Sequence, residues 1–134
     1  MKKVFIVSAR RTPVGAFLGA LSATHASDMS AAVIKPLLAD AGVSPEQVDE
    51  LICGNILSAG LGQGIARQAA VKAGIPVSVC AYSVNMLCGS GMKSVMNAAT
   101  SIAAGEADII VAGGVENMSA APYLLPKETR KGLR

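Results

Sequence analysis

Val84-Asn85-Met86-Leu87-Cys88-Gly89-Ser90-Gly91-Met92-Lys93 is the stretch on which the fold turns. A run of β-formers from Val77 to Val84 leads into it, and helical spacing runs out of it from Cys88 to Ala104, with Gly105 as the stop. A cysteine therefore stands where a strand hands over to a helix. The first N–H groups of a helix are unpaired and the helix dipole is positive there, so a thiolate at this point is stabilised. Gly89 and Gly91 carry no side chains. A substrate carbonyl can approach the sulfur closely beside them, and backbone N–H groups can face a developing oxyanion. From Leu51 to Gly105 the chain has no Asp or Glu; its only charges there are Arg67, Lys72 and Lys93. That suits a thiolate, which is favoured by cations and opposed by carboxylates. The residues alone leave two readings of Cys88 open: a nucleophile, or a small buried hydrophobe, as free cysteines often are.

Outward from this stretch the same alternation continues. Val4 to Ala9 is a short apolar run of the buried-strand kind. Ser27-Asp28 can cap a helix reaching about Ala41, with Pro36 inside it as a kink or break and Gly42 at its end. Ser44-Pro45-Glu46-Gln47 is a capping box with Pro at the first helical position. Glu50 to Ile56 reads as a strand, Gly60 to Gly64 as a turn, Ile65 to Ala73 as a helix closed by Gly74, and Asp108 to Ala112 as another buried strand. Strand and helix in alternation predict an α/β fold, a mainly parallel β-sheet with flanking helices. Residues 1–119 form one domain on this reading, and 120–134 begin a loop or insertion without apolar period. A chain that stops in such a segment is expected to be an incomplete piece of its domain.

Composition narrows the function. The chain has 134 residues, 51% hydrophobic and 16% charged, which excludes a disordered tail. Aromatic residues make up 3% and the net charge is +3, so neither stacking platforms nor an electrostatic footprint for nucleic acid is present. No apolar run is long enough for a membrane helix. Three cysteines, Cys53, Cys80 and Cys88, fit no zinc spacing beside the single His25, and no metal is expected. Their odd number predicts a reducing, cytoplasmic setting.

Other candidates are weaker. Cys53 and Cys80, between apolar neighbours in strands, read as core. Gly60-Leu61-Gly62-Gln63-Gly64 imitates a dinucleotide fingerprint but lacks the acidic residue about 20 positions on that holds a ribose. Gly89-Ser90-Gly91-Met92-Lys93-Ser94 imitates a phosphate loop with Met92 in place of the required glycine. His25 and Asp28 read as helix-start residues rather than a base and an acid. Glu116, after Gly113-Gly114-Val115, reads as a carboxylate accepting N–H bonds in a turn. Lys127, Arg130, Lys131 and Arg134 form a basic, solvated tail.

The chain resembles the amino-terminal part of a thiolase, most closely of the acetyl-CoA acetyltransferase kind. The resemblance runs through Ala9-Arg10-Arg11-Thr12-Pro13-Val14-Gly15-Ala16-Phe17, through Gly54-Asn55-Ile56-Leu57 with Ala66-Arg67-Gln68-Ala69-Ala70, through Cys88-Gly89-Ser90-Gly91, and through Gly113-Gly114-Val115-Glu116-Asn117-Met118-Ser119 with Ala121-Pro122-Tyr123. Gly64-Ile65 departs from the family's frequent Asn-Pro. The resemblance implies a layered fold with a buried helix starting at the nucleophile. It implies that Cys88 takes an acyl group from acyl-CoA and passes it to a second acetyl-CoA, or runs the reverse thiolysis. Coenzyme A is then part of the substrate, not a cofactor. It also implies a homo-oligomer, dimer or tetramer, and a role in lipid metabolism. The family's histidine, asparagine and second cysteine match no position up to Arg134, so residues 1–134 supply one catalytic group of several. A ketoacyl-synthase-like condensing enzyme, or a non-catalytic dimerisation piece, is the alternative.

Overall fold

The computed structural model describes residues 2–132. Three strands form one parallel sheet in the order β2-β1-β3, with β1 at Glu50–Gly54, β2 at Cys80–Val84 and β3 at Ile110–Gly114. Leu51 and Cys53 of β1 face a layer made of α1 (Ala26–Ala41) and α2 (Ile65–Ala73), where Ile34, Leu38, Ala66, Ala69, Ala70 and Ile75 are buried with them. The opposite face carries α3 (Ser90–Ala104). The two crossovers run in opposite directions along the sheet, β1 to β2 through α2 and β2 to β3 through α3. Helices on opposite faces are what a common right-handed crossover requires of them. The chain thus reverses direction between β1 and β3, and sites in open parallel sheets gather at the carboxyl ends of strands flanking such a point.

Small residues set the layer spacing. Ala66, Ala69 and Ala70 are fully buried, so α2 lies close to both α1 and the sheet. Its limits are glycines in the left-handed region, Gly64 at φ 59° and Gly74 at φ 93°. The capping box at Ser44 is present, with Gln47 Oε1 accepting from Ser44 N at 2.8 Å in a short 3-10 turn, Pro45–Gln47.

Four expectations are corrected. Val4–Ala9 forms no strand; Phe5, Ile6 and Val7 are each more than 70% exposed. Hydrophobicity marks a segment fit for a sheet, but a strand exists only where a neighbour offers its ladder. The segment's neighbouring ties are an ion pair of Lys2 with Asp108 and one of Arg10 with Asp40. Pro36 neither breaks nor divides α1, which is one helix of 16 residues. Pro36 and Ala32, whose carbonyl loses its donor, both lie on the exposed face, where the oxygen is open to solvent. Cys80 is exposed. Its apolar neighbours say nothing of its own face, because successive strand residues point to opposite sides, and β2 is an edge strand. Finally, α3 begins at Ser90 rather than Cys88 and is buried only along Ser90, Ser94 and Ala98, while Met92, Val95 and Met96 are exposed. Of the basic tail, Arg134 lies outside the described residues; Lys127, Arg130 and Lys131 sit in a final exposed 3-10 turn.

Candidate active site

Cys88 is exposed in the turn between β2 and α3. Leu87, just before it, has φ 51°, one of two non-glycine residues with positive φ among the described residues. Holding a leucine there costs roughly 1–2 kcal/mol. Four hydrogen bonds impose it. Asn85 Oδ1 accepts from Leu87 N at 3.1 Å, Gly89 N donates to Met86 O at 3.1 Å, and the buried Ser90 hydroxyl both accepts from Met86 N at 2.9 Å and donates to Leu87 O at 2.6 Å. At about 1 kcal/mol net each, the two bonds of Ser90 are of the size needed to offset the strain. Among the described residues Cys88 Sγ has no hydrogen-bond partner, and no acceptor takes the Cys88 N–H. Thiol and amide both stand free at the mouth of α3, where helix N–H groups favour negative charge.

The mouth of α3 rests on the carboxyl ends of β1 and β3. A Cβ on Gly54 would lie 2.5 Å from Gly91 N and 2.5 Å from the Ser90 carbonyl carbon. One on Gly114 would lie 3.2 Å from Gly91 Cα. Three glycines from three segments thus bring the helix start onto the sheet with no side chain between. Ser94, fully buried, tightens the contact; its Oγ is 2.7 Å from Gly113 O. Gly91 faces Gly114, and Gly89 faces the Met86 side chain, so both expected close-approach glycines also serve contacts within the chain.

The carboxylate at this end of the sheet, Glu116, is fully engaged. Its oxygens accept from Asn55 Nδ2 at 2.9 Å, Ile56 N at 3.0 Å and Leu57 N at 3.1 Å, which pins the loop after β1. That is the turn role expected of it. Asn117 does likewise for the loop before α1, its Nδ2 donating to the carbonyls of Leu21, Ser22 and Thr24. Asn55, Ser90 and Asn117 were not singled out by sequence reasoning. Asn55 and Asn117 act between segments far apart in the chain, while Ser90 bonds locally to Met86 and Leu87, inside a stretch where only the glycines and the cysteine signalled the site. Asn55 Oδ1 is buried without a partner beside a cavity of about 210 Å³ shared with Ser83 and Asn85, room for ordered water. A larger cleft of about 700 Å³ lies between residues 10–17, α1 and the ends of β1 and β3, and Cys88 is not among its walls.

The remaining candidates are elsewhere. His25 is the N-cap of α1, with Nδ1 accepting from Ser27 N at 3.2 Å and meeting Ser27 Oγ at 2.7 Å. Lys72 Nζ reaches the same hydroxyl at 2.7 Å and Asp28 at 2.6 Å, and its hydrogen bond holds the Asp28 carboxyl below the usual range. His25→Ala is expected to lower stability by about 1 kcal/mol, the usual worth of a cap, read as a lower urea midpoint at unchanged slope. An unchanged midpoint would deny the cap its role.

Cys53 is buried as expected. Burial foremost, and also the charge of Glu116, push its thiol up to about 11, against a hydrogen bond involving Val115. Cys53 is therefore expected to resist iodoacetamide at neutral pH in the folded protein, while exposed Cys88 and Cys80 react, Cys88 faster. The linkage has a sign. An unfolded thiol ionises near pH 8.5, so the folded state holds the proton longer. Its contribution to stability is complete below that pH and is lost as pH rises towards about 11. A urea midpoint that falls across this interval in Cys53→Ala as steeply as in the wild type counts against the assignment. Among the described residues no cluster of three or more His, Cys, Asp or Glu is placed to hold a metal ion, and no helix is long and apolar enough to cross a membrane.

Fold and site define an α/β domain that presents a cysteine on a strained strand-to-helix turn at the carboxyl edge of a parallel sheet. The chain belongs to the thiolase family: the model for the thiolase N-terminal domain matches residues 4–134. It is similar to an acetyl-CoA acetyltransferase of Cupriavidus necator, at 57% identity over 100% of this chain and 34% of the relative. An Escherichia coli protein of the same name is 54% identical over 100% of this chain and 34% of the relative. The cytosolic acetyl-CoA acetyltransferase of Mus musculus is 54% identical over 98% of this chain and 32% of the relative. The chain spans about a third of the length of the curated relatives it matches.

Proposed function

We propose that this chain is the nucleophile-bearing part of an acetyl-CoA C-acetyltransferase. The observation that carries the reading is Cys88 itself: exposed, unpartnered, and set on the αL turn at the helix mouth in a chain of this family. The Cys88 thiolate attacks the thioester carbonyl of one acetyl-CoA. The carbon–sulfur bond to Cys88 forms, the bond to coenzyme A breaks, and the released thiolate takes up a proton. The free Cys88 N–H is one donor for the transient oxyanion. A second acetyl-CoA then gives up an α-proton to a base in the remainder of the protein. Its carbanion attacks the acyl carbonyl, and acetoacetyl-CoA leaves with Cys88 restored. Splitting the transfer through a covalent intermediate makes the kinetics ping-pong. The reverse is thiolysis. Neither direction calls on a metal or a cofactor beyond the coenzyme A of the substrates. The same reading places the protein in the cytoplasm, in lipid metabolism and in a homo-oligomer.

The test is direct. The full-length protein is mixed with acetyl-CoA, quenched in acid, digested and weighed. One acetyl group on the peptide containing Cys88, removed again by free coenzyme A, is the expected result. An unmodified Cys88 at saturating acetyl-CoA ends the reading.

A further inference from the structure

We propose that Ser90 is the positioning residue of this site: its hydroxyl clamps Leu87 in the left-handed conformation and thereby fixes where the Cys88 thiol points. The proposal rests on the acyl-transfer reading for its purpose, though not for its geometry. Ser90 is 4% exposed, and its hydroxyl is spent on backbone. Its Oγ uses both its accepting and its donating capacity on backbone to either side of the αL residue: Met86 N at 2.9 Å, in the Asn85–Met86 peptide, and Leu87 O at 2.6 Å, in the Leu87–Cys88 peptide. Its own N–H also returns to Leu87 O at 3.0 Å. The Leu87 carbonyl belongs to the peptide that continues into Cys88 N. Two donors on that oxygen therefore set the plane of the peptide whose N–H stands free, and with it the Cα–Cβ direction of Cys88.

A leucine leaves φ 51° unless the surroundings over-determine it. Asn85 supplies one local bond to Leu87 N, from an exposed side chain. Ser90 supplies the buried ones, anchored in a helix start that is itself seated on Gly54 and Gly114. Rigidity thus passes from the sheet through α3 to the thiol, with the Ser90 hydroxyl adding two bonds to those of the Ser90 and Gly89 N–H groups. Without that hydroxyl Leu87 relaxes to negative φ and Cys88 swings away from the helix mouth.

The test uses the full-length protein, with iodoacetamide as the probe and the Cys88 peptide quantified by mass. Ser90→Ala is expected to slow alkylation about tenfold, the factor that corresponds to about 1.4 kcal/mol. Ser90→Thr keeps the hydroxyl and is expected to retain more than about half of the wild-type rate, a factor of two being only about 0.4 kcal/mol on the same scale. The decisive variant is Leu87→Gly with Ser90→Ala. Glycine adopts the left-handed region without penalty, so the double variant is expected to recover to within about twofold of the wild type, a non-additivity that a general loosening of α3 does not produce. An unchanged rate in Ser90→Ala, or a loss that Leu87→Gly leaves uncorrected, overturns the proposal. Where Ser90→Ala fails to fold, Leu87→Gly alone decides. With the clamp intact it is expected within about twofold of the wild type, and a tenfold fall would show that the leucine side chain, not the hydroxyl, fixes the thiol. Acetylation of wild-type Cys88 by acetyl-CoA is scored separately. Its absence sinks the acyl-transfer reading and leaves the alkylation result standing.

Discussion

Cys88→Ala in the full-length protein is expected to abolish acetyl transfer, by roughly a million-fold in kcat, the scale on which enzymes lose rate when a covalent nucleophile is removed. The acyl group has nowhere else to go. Cys53 is buried with its thiol pushed up to about 11, and Cys80 stands on the edge strand, away from the turn that carries Cys88. The loss falls on kcat, while binding of acetyl-CoA changes little, because the exposed sulfur has no intrachain partner to disturb. The same exposure means that folding is untouched, with a urea midpoint within about 0.5 kcal/mol of the wild type. Cys88→Ser is the sharper form. It keeps the shape and the free N–H, but a hydroxyl ionises far less readily than a thiol, so it too is expected near background. Steady-state condensation and thiolysis assays read both variants. More than about one per cent of wild-type turnover in Cys88→Ala would place the nucleophile elsewhere, since a residual rate that high exceeds what binding and oxyanion donors alone leave.

What the sequence disclosed and what it withheld divide along a physical line. α2 is legible to the residue because both of its limits are glycines forced into the left-handed region. α1 is legible at Gly42 for the same reason, yet its start belongs to His25 rather than Ser27, since a histidine ring nitrogen caps as well as a hydroxyl. These signals are local. Val4–Ala9 has the composition of a strand but no ladder, and Cys80 has apolar neighbours but an exposed face; pairing and facing are decided by other parts of the molecule. The site follows the same rule. Cys88 and its glycines are written in consecutive residues. The three-way donation of Asn117 and the pinning of the 55–57 loop by Glu116 exist only once distant segments have met, and the bonds of the Ser90 hydroxyl, though local, exist only once the turn before α3 has closed. Gly54 is the extreme case. It lies inside the run Glu50 to Ile56 that reads as a strand, and its purpose is a contact with the backbone at the start of α3.

That contact carries the second large effect. Gly54→Ala is expected to destabilise the fold by about 3 kcal/mol or more, the upper end of what overpacking costs, because the atoms its methyl meets cannot step aside. They are Gly91 N and the Ser90 carbonyl carbon at 2.5 Å and Ser90 O at 2.7 Å, all backbone in the first turn of α3. Relief requires moving the helix start, and Cys88 rides on that start, so its alkylation by iodoacetamide should fall along with the urea midpoint. The other glycines grade the prediction. Gly114→Ala meets Gly54 O and Gly91 Cα at 3.2 Å, a few tenths of an ångström too close, and should cost less. Gly91→Ala meets Gly114 at 3.9 Å, ordinary contact, in a helix where alanine is favoured over glycine by about 1 kcal/mol, and should be neutral or stabilising. Gly113→Ala meets nothing within 4 Å and is the control. Should Gly91→Ala keep its stability and still lose acetyl transfer, the missing side chain serves the approaching substrate, as the sequence first suggested. A Gly54→Ala protein that unfolds at the wild-type midpoint would mean that α3 does not rest on β1 where the thiol is presented. The rigidity assigned to Cys88 would then have to come from the local bonds of Asn85, Gly89 and Ser90 alone.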